Sequence, residues 1–103
     1  MTGELKTYVI RFDPDGDDFT TSRYQLPSAP LLIEDTGSTE DGLRLFNIRE
    51  GELRDRGGNL QGALLLLHRN PEWPLAQGAS VIVHVRASDG KLDAVARTCV
   101  WSA

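Results

Sequence analysis

The chain has almost no cysteine, few aromatic residues, no block of like charge and no long apolar run. Cys99 is its one cysteine, so no intramolecular disulfide can form and no thiolate metal cluster can be built. Aromatic residues make up 7% of the sequence. Tyr8, Tyr24, Trp73 and Trp101 could form a platform for a sugar or a peptide, but a domain this small needs such side chains for its core. Net charge is -4, with 11 Lys+Arg against 15 Asp+Glu. No run of basic residues occurs, which argues against a phosphate-tracking surface and a nucleic-acid partner. The longest apolar run, Ala63 to Leu67, is far too short to span a bilayer. The start, MTGELKTYVIRFD, lacks the basic and apolar regions of a secretory signal. The expectation is a soluble, cytoplasmic protein with no membrane partner.

Catalytic signatures are missing as well. There is no G-x-S-x-G, no H-E-x-x-H and no phosphate loop. Asp13-Pro14-Asp15-Gly16-Asp17-Asp18 places oxygens at the first, third and fifth positions of a calcium loop. Its sixth position, however, is Asp18 where glycine is needed, and its twelfth is Tyr24 where a bidentate glutamate is needed. A solvated acidic turn is the reading that survives. His68 has no neighbouring ligand at zinc spacing. These absences predict a protein that is not an enzyme, has no cofactor and holds no metal.

What is present is a chain of 103 residues, 40% hydrophobic and 25% charged, which suits one soluble globular domain over residues 1–103. Its most informative stretch is Ala79 to Trp101. Asp89-Gly90 predicts a two-residue hairpin turn with Ser88 opposite Lys91. Counting outward, Ala87 faces Leu92, Val85 faces Ala94, Val83 faces Ala96 and Val81 faces Thr98. Strand side chains alternate with period two, so these residues form one small, apolar face suited to a core. On the other face Arg86 meets Asp93, a pair contributing roughly 0.2–1 kcal/mol. His84 there meets Val95, and Ile82 meets Arg97. Ser80 would pair with Cys99, placing Cys99 and Trp101 on this second face too.

Elsewhere, Thr7 to Asp13 alternates as a strand, with Tyr8, Ile10 and Phe12 on one side. Pro14 to Asp17 reads as a turn, after which Phe19 to Leu26 could return as its partner, Phe12 facing Phe19. Leu31 to Ile33 is a short buried strand, followed by a polar surface loop over Glu34 to Gly42. Leu43 to Arg49 is a strand. Glu50-Gly51 predicts a turn into Glu52 to Arg56, with Ile48 by Leu53. Leu60 to His68 favours helix by propensity, while its length and flanking glycines favour a strand buried on both faces. The whole predicts a mainly β fold: a small antiparallel barrel or sandwich of about six to eight strands with at most one short helix.

Asn59-Leu60-Gln61-Gly62-Ala63-Leu64-Leu65 resembles a shortened second motif of the PilZ domain, a small β-barrel family that binds cyclic di-GMP. Pro74 to Gly78, followed by the hairpin, is similar to that family's later strands. The motif serine is missing, and no Arg-x-x-x-Arg precedes it, since Arg49, Arg54 and Arg56 are differently spaced. The resemblance therefore implies a small barrel more than nucleotide binding.

Function is expected to lie in binding. The first expectation is a non-catalytic binding or assembly module acting through a protein partner or a second copy of itself, most simply as a homodimer. Its surface would be the second face of the terminal hairpin: Ile82, His84, Arg86, Val95, Arg97 and Trp101. Mixed apolar and arginine surfaces suit protein interfaces. The alternative is a small-ligand-binding barrel that takes an anionic ligand at the Arg49–Arg56 region.

Overall fold

The alternation of Thr7–Phe12 becomes strand β1, with Tyr8, Ile10 and Phe12 buried and Arg11 exposed. In the computed structural model, which describes residues 6–13, 24–27, 29–68, 75–86 and 92–102, five further strands follow. They are β2 (Leu31–Glu40), β3 (Leu43–Glu50), β4 (Ala63–His68), β5 (Ser80–Arg86) and β6 (Leu92–Ser102). Each strand pairs antiparallel with the next, and β6 returns to pair with β1, closing a six-stranded barrel. No helix occurs among the described residues. The Leu60–His68 ambiguity thus resolves as strand. Leu64, Leu65 and Leu66 are all buried, while Leu67 is exposed.

The polar run after Ile33 is a correction to the sequence reading. It is the second half of β2, not a surface loop. Asp35 continues the inward series Leu31, Ile33, and stays there because Arg44 of β3 takes both of its carboxylate oxygens, at 2.7–3.0 Å. The register then shifts between Asp35 and Thr39. Local side chains hold the shift: Gly37 N–H donates to Asp35 Oδ1 at 2.8 Å, and the Thr36 hydroxyl donates to the Leu45 carbonyl at 2.8 Å. Glu40 and Leu43 then pair across the two-residue turn Asp41-Gly42. Both turn residues have positive φ, 52° and 79°, as a type I′ hairpin turn requires.

Three other expectations change. The partners of β1 are β2 and β6. The expected facing of Phe12 and Phe19 lies outside the described residues. Glu50 pairs with Leu32, so Glu50-Gly51 opens no hairpin with β3. Instead, the segment after it folds on itself: Arg54 bridges Leu60, and Gln61 N–H donates to the Leu53 carbonyl at 2.8 Å. Tyr24 bridges Asp55 alongside, and Tyr24 and Leu53 both join the core.

The terminal hairpin keeps its expected centre and loses both ends. Val83 faces Ala96, His84 faces Val95 and Val85 faces Ala94, as counted from the sequence. Toward the turn the register shifts, and Arg86 faces Leu92, not Asp93. The Asp89-Gly90 turn itself lies outside the described residues, as does the acidic turn beyond Asp13. At the other end Val81 faces Cys99, not Thr98, and Ser80 faces Val100, not Cys99. One residue of β5, Ile82, thus lies against two of β6, Arg97 and Thr98, the mark of a β-bulge. Because side chains alternate, one extra residue inverts which ones point inward. Ala96 is inward before the bulge, and Cys99 and Trp101 are inward after it, all three fully buried. Trp101 is therefore no surface residue, which corrects its place among the expected binding residues.

Inside the barrel Trp101 meets two other strands. Its ring lies 4.3 Å from that of Tyr8 and 5.5 Å, edge-on, from that of Phe46. Aliphatic side chains from all six strands and from Leu53 and Leu75 complete the core.

Candidate functional site

With Trp101 withdrawn into the core, the outer surface of β4, β5 and β6 keeps a shorter set of the expected residues. Ile82 is half-buried and lies opposite Leu67 of β4. His84 lies between Leu65 of β4 and Val95 of β6, and Leu45 of β3 lies beyond Leu65. Arg86 reaches Glu40 at the tip of the β2–β3 hairpin and bonds it through Nη1. Arg97 lies in the bulged segment of β6. So Ile82, His84 and Val95 come together, Arg86 is engaged elsewhere, and Trp101 is absent from the face.

Two residues of this surface were not foreseen. Leu67 is 41% exposed and Val100 is 39% exposed, large fractions for side chains of their type on strands. Leu67 was readable: once Ala63–His68 is a strand with Leu64 and Leu66 inward, Leu65 and Leu67 must face out. Val100 was not, because strict counting from Asp89-Gly90 puts it inside. The bulge turns it outward, opposite Ser80 of β5 and Arg11 of β1.

His84 differs from its neighbours. Both ring nitrogens are closed off from solvent, with no hydrogen-bond partner among the described residues. Burial pushes the imidazole pKa below its ordinary 6.5. The Cys99 side chain is inside the barrel, its thiol directed at the Ala96 carbonyl, so it faces away from His84 on the outer surface.

Two of the arginines expected to gather an anion, Arg49 and Arg54, are each answered by a carboxylate. Arg49 pairs with Glu34 at 3.3 Å. Arg54 pairs with Glu52 at 2.9 Å and donates to the Gly58 carbonyl at 2.6 Å. That contact lowers the Glu52 pKa and raises the Arg54 pKa, chiefly through their hydrogen bond. A cleft of about 340 Å³ lies beside this pair, lined by Gln25, Leu26, Pro27, Gly51, Glu52 and Arg54. Among the described lining residues its one cation, Arg54, is matched by its one anion, Glu52. Deeper in, the Asp35–Arg44 pair lies near Tyr8, whose pKa is raised by burial and by Asp35 against an opposing effect of Arg44.

Among the described residues no group of three His, Cys, Asp or Glu is placed to hold a metal ion. No helix among them is long and apolar enough to cross a membrane. No family model matches the chain, and no curated protein or solved structure matches it, so the likeness to the PilZ domain finds no support there.

Proposed function

We propose that the protein is a non-catalytic assembly module that joins a second copy of itself through the outer face of β4, β5 and β6. The observation that carries this reading is the trio Leu67, Ile82 and Val100, apolar side chains standing outside a barrel whose interior is already filled. Burying such side chains against another surface is favourable by roughly 25 cal/mol per Å². Closure supports a face over an edge. Every strand of the barrel has a neighbour on both sides, so no whole strand among the described residues is left as an edge for strand addition.

Charge restricts where a second copy can sit. Two chains of net charge -4 repel, and they can meet only where few charges oppose each other. Leu67, Ser80, Ile82 and Val100 are such a patch, with Arg11 at its rim. A two-fold axis through it would set each patch against itself.

Light scattering on a size-exclusion column tests the reading at high micromolar concentration. The wild type is expected at twice the chain mass, and Leu67→Asp at the chain mass with an unchanged circular dichroism spectrum. A wild type that remains monomeric overturns it. So does a Leu67→Asp variant that keeps the dimer.

A further inference from the structure

The row Leu45–Leu65–His84–Val95, crossing four strands on the outside of the barrel, holds three aliphatic side chains and one imidazole. Leu65 is buried, Leu45 and Val95 are half-buried, and both nitrogens of His84 are shut away from water without a partner among the described residues. A neutral imidazole has one donor and one acceptor, and leaving both unmade costs free energy. Phenylalanine or leucine would fill the row without that cost. What histidine adds is a response to protons near neutral pH. An imidazolium in this place would carry two donors and a full charge with nothing among the described residues to receive them.

Among the residues whose side chains are described, no charge is placed to relieve it. On β5, Arg86 is bound by Glu40. The outward neighbours on β4 are Ala63, Leu65 and Leu67, all uncharged. On β3 they are Leu45 and Asn47, with Arg49 beyond, tied to Glu34. On β6, Asp93 and Arg97 hold the positions two residues to either side of Val95, one of each sign. His68 of β4 holds the position opposite Val81, a core residue.

We propose that His84 is a proton-operated latch on the outer face of β4, β5 and β6: neutral, it lets the aliphatic row close around it, and protonated, it forces the row open to water. The device is built into a single chain and does not require the dimer. It would nonetheless reshape the surface assigned to self-association.

The direction follows from linkage. Burial holds the folded-state pKa below the ordinary 6.5, so the unfolded chain takes up the proton first. Stability is full above that ordinary value and declines as pH falls below it, until the folded state is protonated too.

The test uses the full chain, dilute enough to be monomeric by light scattering, between pH 8 and pH 5. Imidazole NMR of the wild type is expected to show His84 titrating below 6.5. Protection factors of the amides at residues 65 and 84, corrected for the base-catalysed intrinsic exchange rate, should fall with acid. The unfolding constant should rise by up to about tenfold per pH unit, the limit for one proton. His68→Gln should retain this response, and His84→Phe should abolish it. An imidazole at position 84 that titrates at its ordinary value overturns the proposal. So does an acid response that persists in His84→Phe. Should that variant not fold, the wild-type titration decides alone.

Discussion

Tyr8 and Trp101 stack inside the barrel with ring centroids 4.3 Å apart, although counting back from Asp89-Gly90 puts Trp101 outside. The β6 bulge makes the contact possible, and neighbouring residues should respond in opposite ways. Trp101→Ala should destabilise the fold by about 3–5 kcal/mol, the usual cost of emptying a large aromatic from a core. Val100→Ala, one residue away and exposed, should change the stability of the dilute, monomeric protein by less than about 0.5 kcal/mol. Denaturant midpoints measure both. Equal losses would place the bulge elsewhere.

The Asp35–Arg44 pair should be costly to break and cheap to replace. The Asp35 side chain is 9% exposed and that of Arg44 28%, so Asp35→Ala removes a bidentate carboxylate from a largely enclosed cation. The expected loss is about 2–4 kcal/mol, reduced from the fully buried case by the access of water to Arg44. Asp35→Leu combined with Arg44→Met should recover much of it. A double-mutant cycle showing no coupling would contradict the geometry.

The β2–β3 turn needs its glycine. With φ of 79° at Gly42, Gly42→Val should cost about 1–2 kcal/mol through left-handed strain alone. Asp41→Asn should be close to neutral, since asparagine tolerates the same conformation. Thermal or chemical denaturation of the two variants gives the comparison directly.

Acid should loosen the small hairpin after β3. Asp55 accepts from the backbone N–H groups of Gly57 and Asn59, each at 2.9 Å. These bonds, those from Asn59 foremost, hold its pKa below the ordinary 3.8. A depressed carboxylate stabilises the fold above its unfolded pKa, and that contribution is lost as pH falls through the folded one. NMR shifts of the Gly57 and Asn59 amides should move together in that range. In Asp55→Asn they should not.

Much of the architecture was legible where alternation is unbroken. Tyr8, Ile10 and Phe12 marked β1, and the coherence of both hairpin faces marked the pairing of Val83 with Ala96. Legibility failed where a polar residue faces inward or an extra residue enters a strand. Asp35 hid the second half of β2, because an inward carboxylate reads as surface until Arg44 is placed beside it. The Asp41-Gly42 turn carried the same dipeptide signal as Asp89-Gly90, masked by the polar run before it. The bulge in β6 leaves no mark in composition, yet it exchanges Trp101 for Val100 on the outer face. The candidate site was therefore half visible. His84 and Val95 precede the bulge and face each other as counted, Ile82 lies at the bulge and still stands outside, and the residues beyond it are inverted.

Closure of the barrel sets an order of events for folding. Five of the six ladders join strands that follow one another along the chain, so each can form after a short search. The sixth, between β1 and β6, must bring Ile10 to Trp101 from near the two ends of the sequence, at the greatest loop-closure entropy of any pair. Zippering of the meander should come first and the seam last, with indole burial at Trp101 lagging behind backbone ordering in a stopped-flow experiment. The same seam should be the first to part when the protein unfolds. Trp101→Phe would then act mainly on the unfolding rate and leave the folding rate nearly unchanged.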